Sequence, residues 1–348
     1  MCRDGEARAG ALPCGSGVVC DPDVSFLVLP IRRTSRRSAG RLARGATAAT
    51  VGLWLALLAG HAGTLWWPLD LFAHFRVQYA VLFLVCCAIL LHLRSWRVLA
   101  AAAVGAVVSA ATVVVQTGAS QRAVAASGER FRLVTYNAHR DNRSWASIAD
   151  FLERSGADAV VLLEVSGAHV REIARRMPSS PHVYAPFAAS HYHAALLSRW
   201  PIRDAHLLEL TPGGSRALRA RIAAHGRDIV IVGVHLHWPI GGRNAALRNA
   251  ELARLAALAH SEPGPLLIGG DFNITPWSVH FQRTLGAASL EDCARGRGWL
   301  PTWPAFFPLL GIRIDHCLAS AHWRVLDVRT GPSLGSDHYA TVNDLEMR

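Results

Sequence analysis

The chain has 348 residues, 51% of them hydrophobic, and its mean hydropathy of +0.22 excludes a single domain solvated on all sides. Its 36 basic residues are all arginine and outnumber 25 acidic ones, for a formal charge of +11, which points to an acidic partner or to membrane topology. The seven cysteines have no metal-type spacing, which excludes a readable zinc cage.

Residues 1–45 carry Gly, Pro, Asp and Arg without sustained periodicity and read as a disordered cytoplasmic tail, with a short amphipathic piece at 24–31. A dense group of arginines, Arg32, Arg33, Arg36, Arg37, Arg41 and Arg44, closes it. Three apolar runs follow within 46–116, at 46–67, 77–93 and 98–115. Each is near the ~20 residues that cross a bilayer core of ~30 Å, so three transmembrane helices are expected. The arginine bias puts the tail and the Arg94/Arg97 turn in the cytoplasm. The loop at 68–76 and everything beyond 116 then face outward, with Trp66 and Trp67 at the interface. A polar linker over 117–130 keeps the rest within ~50 Å of the membrane.

From 131 to 348 the pattern changes to short β-branched runs alternating with amphipathic helices. Strands are expected at 131–136, 159–164, 194–198, 217–224, 229–236, 265–269, 314–318, 323–329 and 340–342, and helices near 144–155 and 244–260. Many strands with few helices suggest a β-sandwich flanked by helices, a four-layer α/β arrangement. Cys293 and Cys317 either pair in an oxidising compartment or, the better reading, stay as buried thiols.

Several apolar runs end on a polar side chain, where a rigid strand can present it to a rim of loops. These ends are Asn137, Glu164, His235 with His237, Asp271 with Asn273, Asp315, and the Ser336-Asp337-His338 turn. Taken singly, Asn137 reads as a turn residue and His235 as a satisfied core histidine. Asp271 and Asn273 are stronger, since side chains at i and i+2 project to one side. His316 points opposite to Asp315 and reads as structural. A phosphoester transition state gathers negative charge on non-bridging oxygens, which a hard cation and a protonated histidine would stabilise.

In order and context these residues resemble the signature of the endonuclease/exonuclease/phosphatase superfamily, the DNase I-like fold, over about 131–342. The most specific pieces are Gly270-Asp271-Phe272-Asn273, Arg313-Ile314-Asp315-His316 and Ser336-Asp337-His338. The resemblance implies a four-layer α/β-sandwich and a metal-dependent phosphoesterase. Glu164 and Asn137 would hold magnesium or manganese, with Asp337 a further metal or supporting group. Asp271 would orient or deprotonate the attacking water and Asn273 position it. His338 would contact the scissile phosphate, cationic through Asp315, with His235 a second contact or acid. His237 and Arg248 are candidate substrate contacts, although Arg248 reads better as a solvated helix residue.

Three spans before an external domain also resemble the VanJ-type and YafD-like membrane proteins. That similarity implies a phosphatase acting on undecaprenyl pyrophosphate or a related lipid-linked carrier, and a contribution to teicoplanin-class resistance. A surface nuclease would instead need a basic groove for nucleic acid, for which Arg216, Arg219 and Arg221 are candidates. A noncatalytic sensor would have lost some polar strand ends, and none is missing. The stretch at 188–193 and the aromatic, proline-rich segment at 299–308 have no catalytic reading; the latter either packs on the core or meets lipid.

Overall fold

A computed structural model describes residues 36–118, 128–186 and 193–348. The tail before residue 36, most of the linker, and all but the last residue of the 188–193 stretch lie outside the described residues. The N-terminal part holds α1 (Arg36–His61), α2 (Trp67–Leu71) running through a 3-10 turn (Phe72–Phe75) into α3 (Arg76–His92), and α4 (Trp96–Thr117). They make three stretches, Arg37–His61, Trp67–His92 and Trp96–Thr117, long and apolar enough to cross a membrane.

Two boundaries differ from the hydropathy reading. The first helix begins at Arg36 instead of 46, because arginine, alanine and leucine propagate a helix whatever their polarity. It ends at His61, so Trp66 and Trp67 belong to the start of the next element, where Pro68 opens α2. In the helix packing, Phe83 of α3 lies so close to Gly105 of α4 that a Cβ there would fall 2.4 Å from its ring. Trp54 of α1 meets Phe83 edge-on and donates its indole N–H to the Ala101 carbonyl at 3.1 Å.

The larger domain carries β1 (Arg130–Asn137), α5 (Trp145–Ser155), β2 (Ala159–Val165), α6 (Gly167–Arg175), β3 (His182–Tyr184), β4 (His193–Ser198), β5 (Ile202–Glu209) and β6 (Arg216–Ala224). It continues with β7 (Arg227–His235), α7 (Gly242–Ser261), β8 (Leu266–Asp271), α8 (Val279–Ala288), β9 (Glu291–Asp292), β10 (Asp315–Ala319), β11 (Trp323–Thr330) and β12 (Thr341–Met347). The strands form two mixed sheets, ordered β11-β12-β1-β2-β4-β3 and β5-β6-β7-β8-β10-β9.

Alternation along the strands builds the layers. Leu133, Val161, Ile231 and Leu267 point into the space between the sheets. Val134, Val160 and Leu162 face the other way, onto Ile148 and Leu152 of α5 and Val170 and Ile173 of α6. Val230, Val232 and Ile268 face Leu252 and Leu255 of α7 and Phe281 of α8. The result is the DNase I-like α/β sandwich. Central strands buried on both faces read as continuous apolar runs, which made them legible in sequence. Short or half-exposed β3, β5 and β9 carry no such run, and α6 and α8 were also missed.

The sheets come unusually close near the end where β7 and β8 finish. A Cβ on Gly233 would lie 2.7 Å from Val161, and one on Gly269 would lie 2.6 Å from Thr135. Only glycine allows that approach, and it brings the ends of β1 and β2 against those of β7 and β8. Cys293 and Cys317 lie in the same inter-sheet core as buried thiols, their sulfurs 3.1 Å apart.

The apolar helices dock on this domain at several points. Asp70 of α2 meets Arg248 of α7 at 2.8 Å and accepts from the Ser278 hydroxyl at 2.6 Å. Gln78 of α3 donates to the Leu310 carbonyl at 3.1 Å. Trp277 donates to the Thr112 carbonyl near the end of α4, and Gly296 N–H donates to that of Gln116.

Candidate active site

At the close-approach end, parallel pairs β1/β2 and β7/β8 finish together. His235 stands opposite Asp271 in register, and Asp271 stands opposite Asp315 of antiparallel β10. Asn137, His235, Asp271 and Asp315 continue the parity of the inter-sheet residues, so they crown the core at one rim. Glu164 has the wrong parity. Its backbone takes a left-handed φ of 54°, beside a register irregularity between Leu162 and Val165, and this turns its carboxylate over to the rim. Asn273 is also left-handed, at φ 51°. Non-glycine residues in that region are strained, and two of them at one rim are a mark of a functional site.

The resulting cavity, about 470 Å³, is lined on its polar side by Asn137, Glu164, His235, Asp271, Asn273, Asp337 and His338. Asn137 donates its amide N–H to Glu164 at 3.2 Å and to Asp271 at 3.3 Å. The other Glu164 oxygen accepts from Arg140 N–H at 3.3 Å. His235 Nε2 stands 3.6 Å from Asp271 and 3.9 Å from Glu164, close enough for charge attraction and too far for hydrogen bonds. Asp271 accepts from Asn273 N–H at 2.8 Å, and the Asn273 amide donates to the Leu236 carbonyl at 2.9 Å.

Behind the cavity, His338 Nδ1 bonds Asp315 Oδ2 at 2.9 Å, while its Nε2 lies 3.8 Å from Asp271. Both Asp315 N–H and Ile314 N–H donate to Thr302 Oγ1 at 3.1 Å, which pins the carboxylate-bearing strand. Burial opposes protonation of His338, but the charges of Asp315 and Asp271 and the bond to Asp315 outweigh it and carry its pKa to about 10. Burial, with the charge of Asp315 added, raises the Asp271 carboxyl against the pull of His338 and His235. Asp271 is thus suited to hold a proton or a water, and His338 to stay cationic.

Asp271, Asp315 and His338 place one ligand-capable atom each within 4.8 Å. In this structure the three are held together by charge, His338 bonding Asp315 and lying near Asp271. Glu164, Asn137 and Asp337 line the same cavity and offer only oxygens and amide groups, which fits a hard divalent ion. Asp337 also accepts from the Trp303 indole at 3.1 Å.

Two expected substrate contacts lie elsewhere. Arg248 is fully buried and turned toward Asp70, because its helix packs on the start of the second apolar stretch; it also donates to the Asn273 carbonyl at 3.4 Å. His237 lies beyond the end of β7, where strand alternation no longer holds, and its Nδ1 meets buried Glu251 at 2.7 Å. His316 points away from the cavity, between Phe272 and Phe281, and bonds the Ile274 carbonyl at 2.8 Å. Arg219 is nearly buried and held by Glu262 and Asp204, which removes it from any basic groove.

The apolar side of the cavity was missed by sequence reasoning. It is made by Trp238, Pro239, Ile240, Trp303, Ile312 and Ile314 together with Leu71, His74 and Phe75 from the start of the second apolar stretch. The available signal was Asp70 and His74 in an otherwise apolar stretch, since ionisable residues there are functional by default.

The sequence profile of the Endonuclease/Exonuclease/phosphatase family matches residues 134–338. Among solved structures, the chain is similar to an endonuclease/exonuclease/phosphatase from Beutenbergia cavernae DSM 12333, at 20% identity and TM-score 0.54, over 63% of this chain and 72% of that one. It is similar to a family protein from Bacteroides thetaiotaomicron at 16% identity and TM-score 0.53, over 64% and 97%. It also resembles D. rerio TDP2 complexed with single strand DNA product, at 15% and TM-score 0.54, over 63% and 100%. At these identities the likeness is one of fold. No curated protein matches the chain.

Proposed function

The chain belongs to the endonuclease/exonuclease/phosphatase family, and from that premise we propose that it is a membrane-anchored, metal-dependent phosphoesterase acting on a lipid-linked phosphate, with a polyprenyl pyrophosphate as the leading substrate class. The observation that carries this reading is the mixed lining of the cavity: Glu164, Asp271, Asp337 and His338 line it together with Trp238, Ile240, Leu71 and Phe75. A phosphate beside an apolar chain matches such a cavity, whereas a nucleic-acid backbone needs a long basic track.

A bound magnesium or manganese ion, for which Glu164, Asn137 and Asp337 are the candidate holders, would supply charge stabilisation to the phosphoryl oxygens. The chain's own groups do the rest. Asp271 accepts a proton from the attacking water, which Asn273 and Asn137 help to orient. His338, kept cationic by Asp315, donates from Nε2 to a non-bridging oxygen, and His235, also beside Asp271, offers a second donor or the proton for the leaving oxygen.

The catalytic domain lies outside the cell in this reading, since the arginine-rich start of α1 and the Arg94/Arg97 turn belong to the cytoplasm. The docking of the 67–78 segment and of the end of α4 on the domain supports one shared side for all three. Removal of phosphate from a cell-wall lipid carrier would also contribute to teicoplanin resistance, the role that the likeness to VanJ-type proteins implies.

The test is magnesium-dependent phosphate release from undecaprenyl pyrophosphate by the full chain in detergent, run beside plasmid DNA and an Asp271→Ala control. Release that vanishes in the control, with intact DNA, is the expected result. Nicked DNA without phosphate release overturns the substrate class.

A further inference from the structure

We infer that His74, carried by the start of the second apolar stretch, is a substrate-binding residue that donates a hydrogen bond to an oxygen of the phosphoester. This deepens the reading above and rests on it.

His74 sits in the 3-10 turn Phe72–Phe75 and lines the cavity that holds Asn137, Glu164, Asp271 and His338. It is 5% exposed. Its Nδ1 lies 2.9 Å from the hydroxyl of fully buried Thr275, while its Nε2 is buried with no hydrogen-bond partner. A buried ring nitrogen without a partner is costly, and native interiors rarely leave one unless something else completes it. Assigning the Thr275 hydroxyl as the donor to Nδ1 puts the ring proton on Nε2, and what that nitrogen then lacks is an acceptor. A phosphoryl or pyrophosphoryl oxygen is an acceptor of that kind.

The placement is built and not incidental. Asp70, bonded to Arg248 and Ser278, fixes one end of the turn, and Thr275 fixes the ring. Thr275 and Ser278 follow directly on Asp271 and Asn273, so one loop ties the water-orienting groups to the membrane segment. Leu71 and Phe75, which flank His74 on the cavity wall, supply apolar contact for the part of the substrate beyond the phosphate. The membrane segment therefore completes the site, with His74 for the head group and Leu71 and Phe75 for the chain.

The experiment is calorimetric binding of methylenediphosphonate and of its farnesyl ester, neither hydrolysable at the bridge, to the full-length protein in detergent with magnesium. The His74→Asn variant keeps an amide where Nδ1 meets Thr275 and lacks a group at Nε2, while His74→Gln places its amide where Nε2 was. We expect His74→Asn to weaken both probes about tenfold, the loss of one hydrogen bond to a charged group, and His74→Gln to bind close to wild type. Leu71→Ser and Phe75→Ser should weaken the farnesyl ester alone. His74→Asn binding both probes like wild type overturns the inference, as does His74→Gln binding as weakly as His74→Asn. Wild-type protein that binds both probes equally removes the lipid chain from the proposed function and leaves His74 standing on the diphosphonate comparison. Wild-type protein that binds neither removes the phosphoesterase reading and this inference with it.

Discussion

Asp70 and Arg248 form a buried ion pair, Oδ2 to Nη2 at 2.8 Å, across the junction between the apolar helices and the α/β sandwich. Neither side chain is more than 2% exposed. Each ion has given up its water, so the pair holds only while both members are present. Removing one should cost about 3–5 kcal/mol, because it strands the other charge in the interior. Asp70→Ala and Arg248→Ala are therefore expected to unfold at clearly lower denaturant than wild type in detergent, while the joint Asp70→Leu, Arg248→Met exchange recovers most of the loss. A double-mutant cycle on denaturation midpoints checks this, and additive single effects would refute the coupling.

Asp315 is paired with His338. Its carboxylate bonds Nδ1 and leaves Nε2 facing the cavity as a donor. Asp315→Asn keeps the shape but removes the charge that offsets burial of the imidazolium. Turnover should fall by about 10²–10⁴-fold, the usual range for losing a positioned proton donor. Single-turnover rates measure it, and an unchanged rate would remove His338 from the reaction.

Glu164 is the carboxylate of the oxygen-rich wall, and its side chain is 24% exposed. Chelation should abolish phosphoester hydrolysis, with magnesium or manganese restoring it. Glu164→Gln should weaken the activating metal by at least about tenfold while leaving the melting temperature near wild type. The check is activity titrated with metal; an unaltered half-saturation would move the metal site elsewhere.

His316 is buried and neutral. Burial, with Arg313 beside it, lowers its pKa to about 4. The Arg313 guanidinium donates to Nδ1 at 2.9 Å, so the ring proton sits on Nε2 and goes to the Ile274 carbonyl. In the unfolded chain the same ring titrates near 6.5, so the unfolded state binds more protons between the two values. Stability from this site is full above pH 6.5 and declines as pH falls toward 4. Unfolding free energies measured across that window should slope for wild type and flatten in His316→Gln.

Much of this was legible beforehand because it rests on short-range rules. The buried strands β1, β2, β7 and β8 are continuous apolar runs, and Asn137, His235 and Asp271 stand where those runs end. Asp315 opposite His316 was readable from alternation alone. Glu164 was found as a strand end, although only its left-handed backbone brings the carboxylate to the rim. Arg248 shows the opposite case: its identity invites a phosphate, but its place on α7 puts it against Asp70.

By itself, then, the sequence determined the three apolar helices, the two-sheet sandwich and the polar strand ends, since hydropathy and alternation are local consequences of helix and strand geometry. Only the tertiary structure decided that the segment from Leu71 to Phe75 lines the cavity at the strand ends and that Arg248 anchors it. Those contacts join residues some two hundred positions apart, as His74 to Thr275 does, and no periodicity encodes which distant surface a short turn will meet.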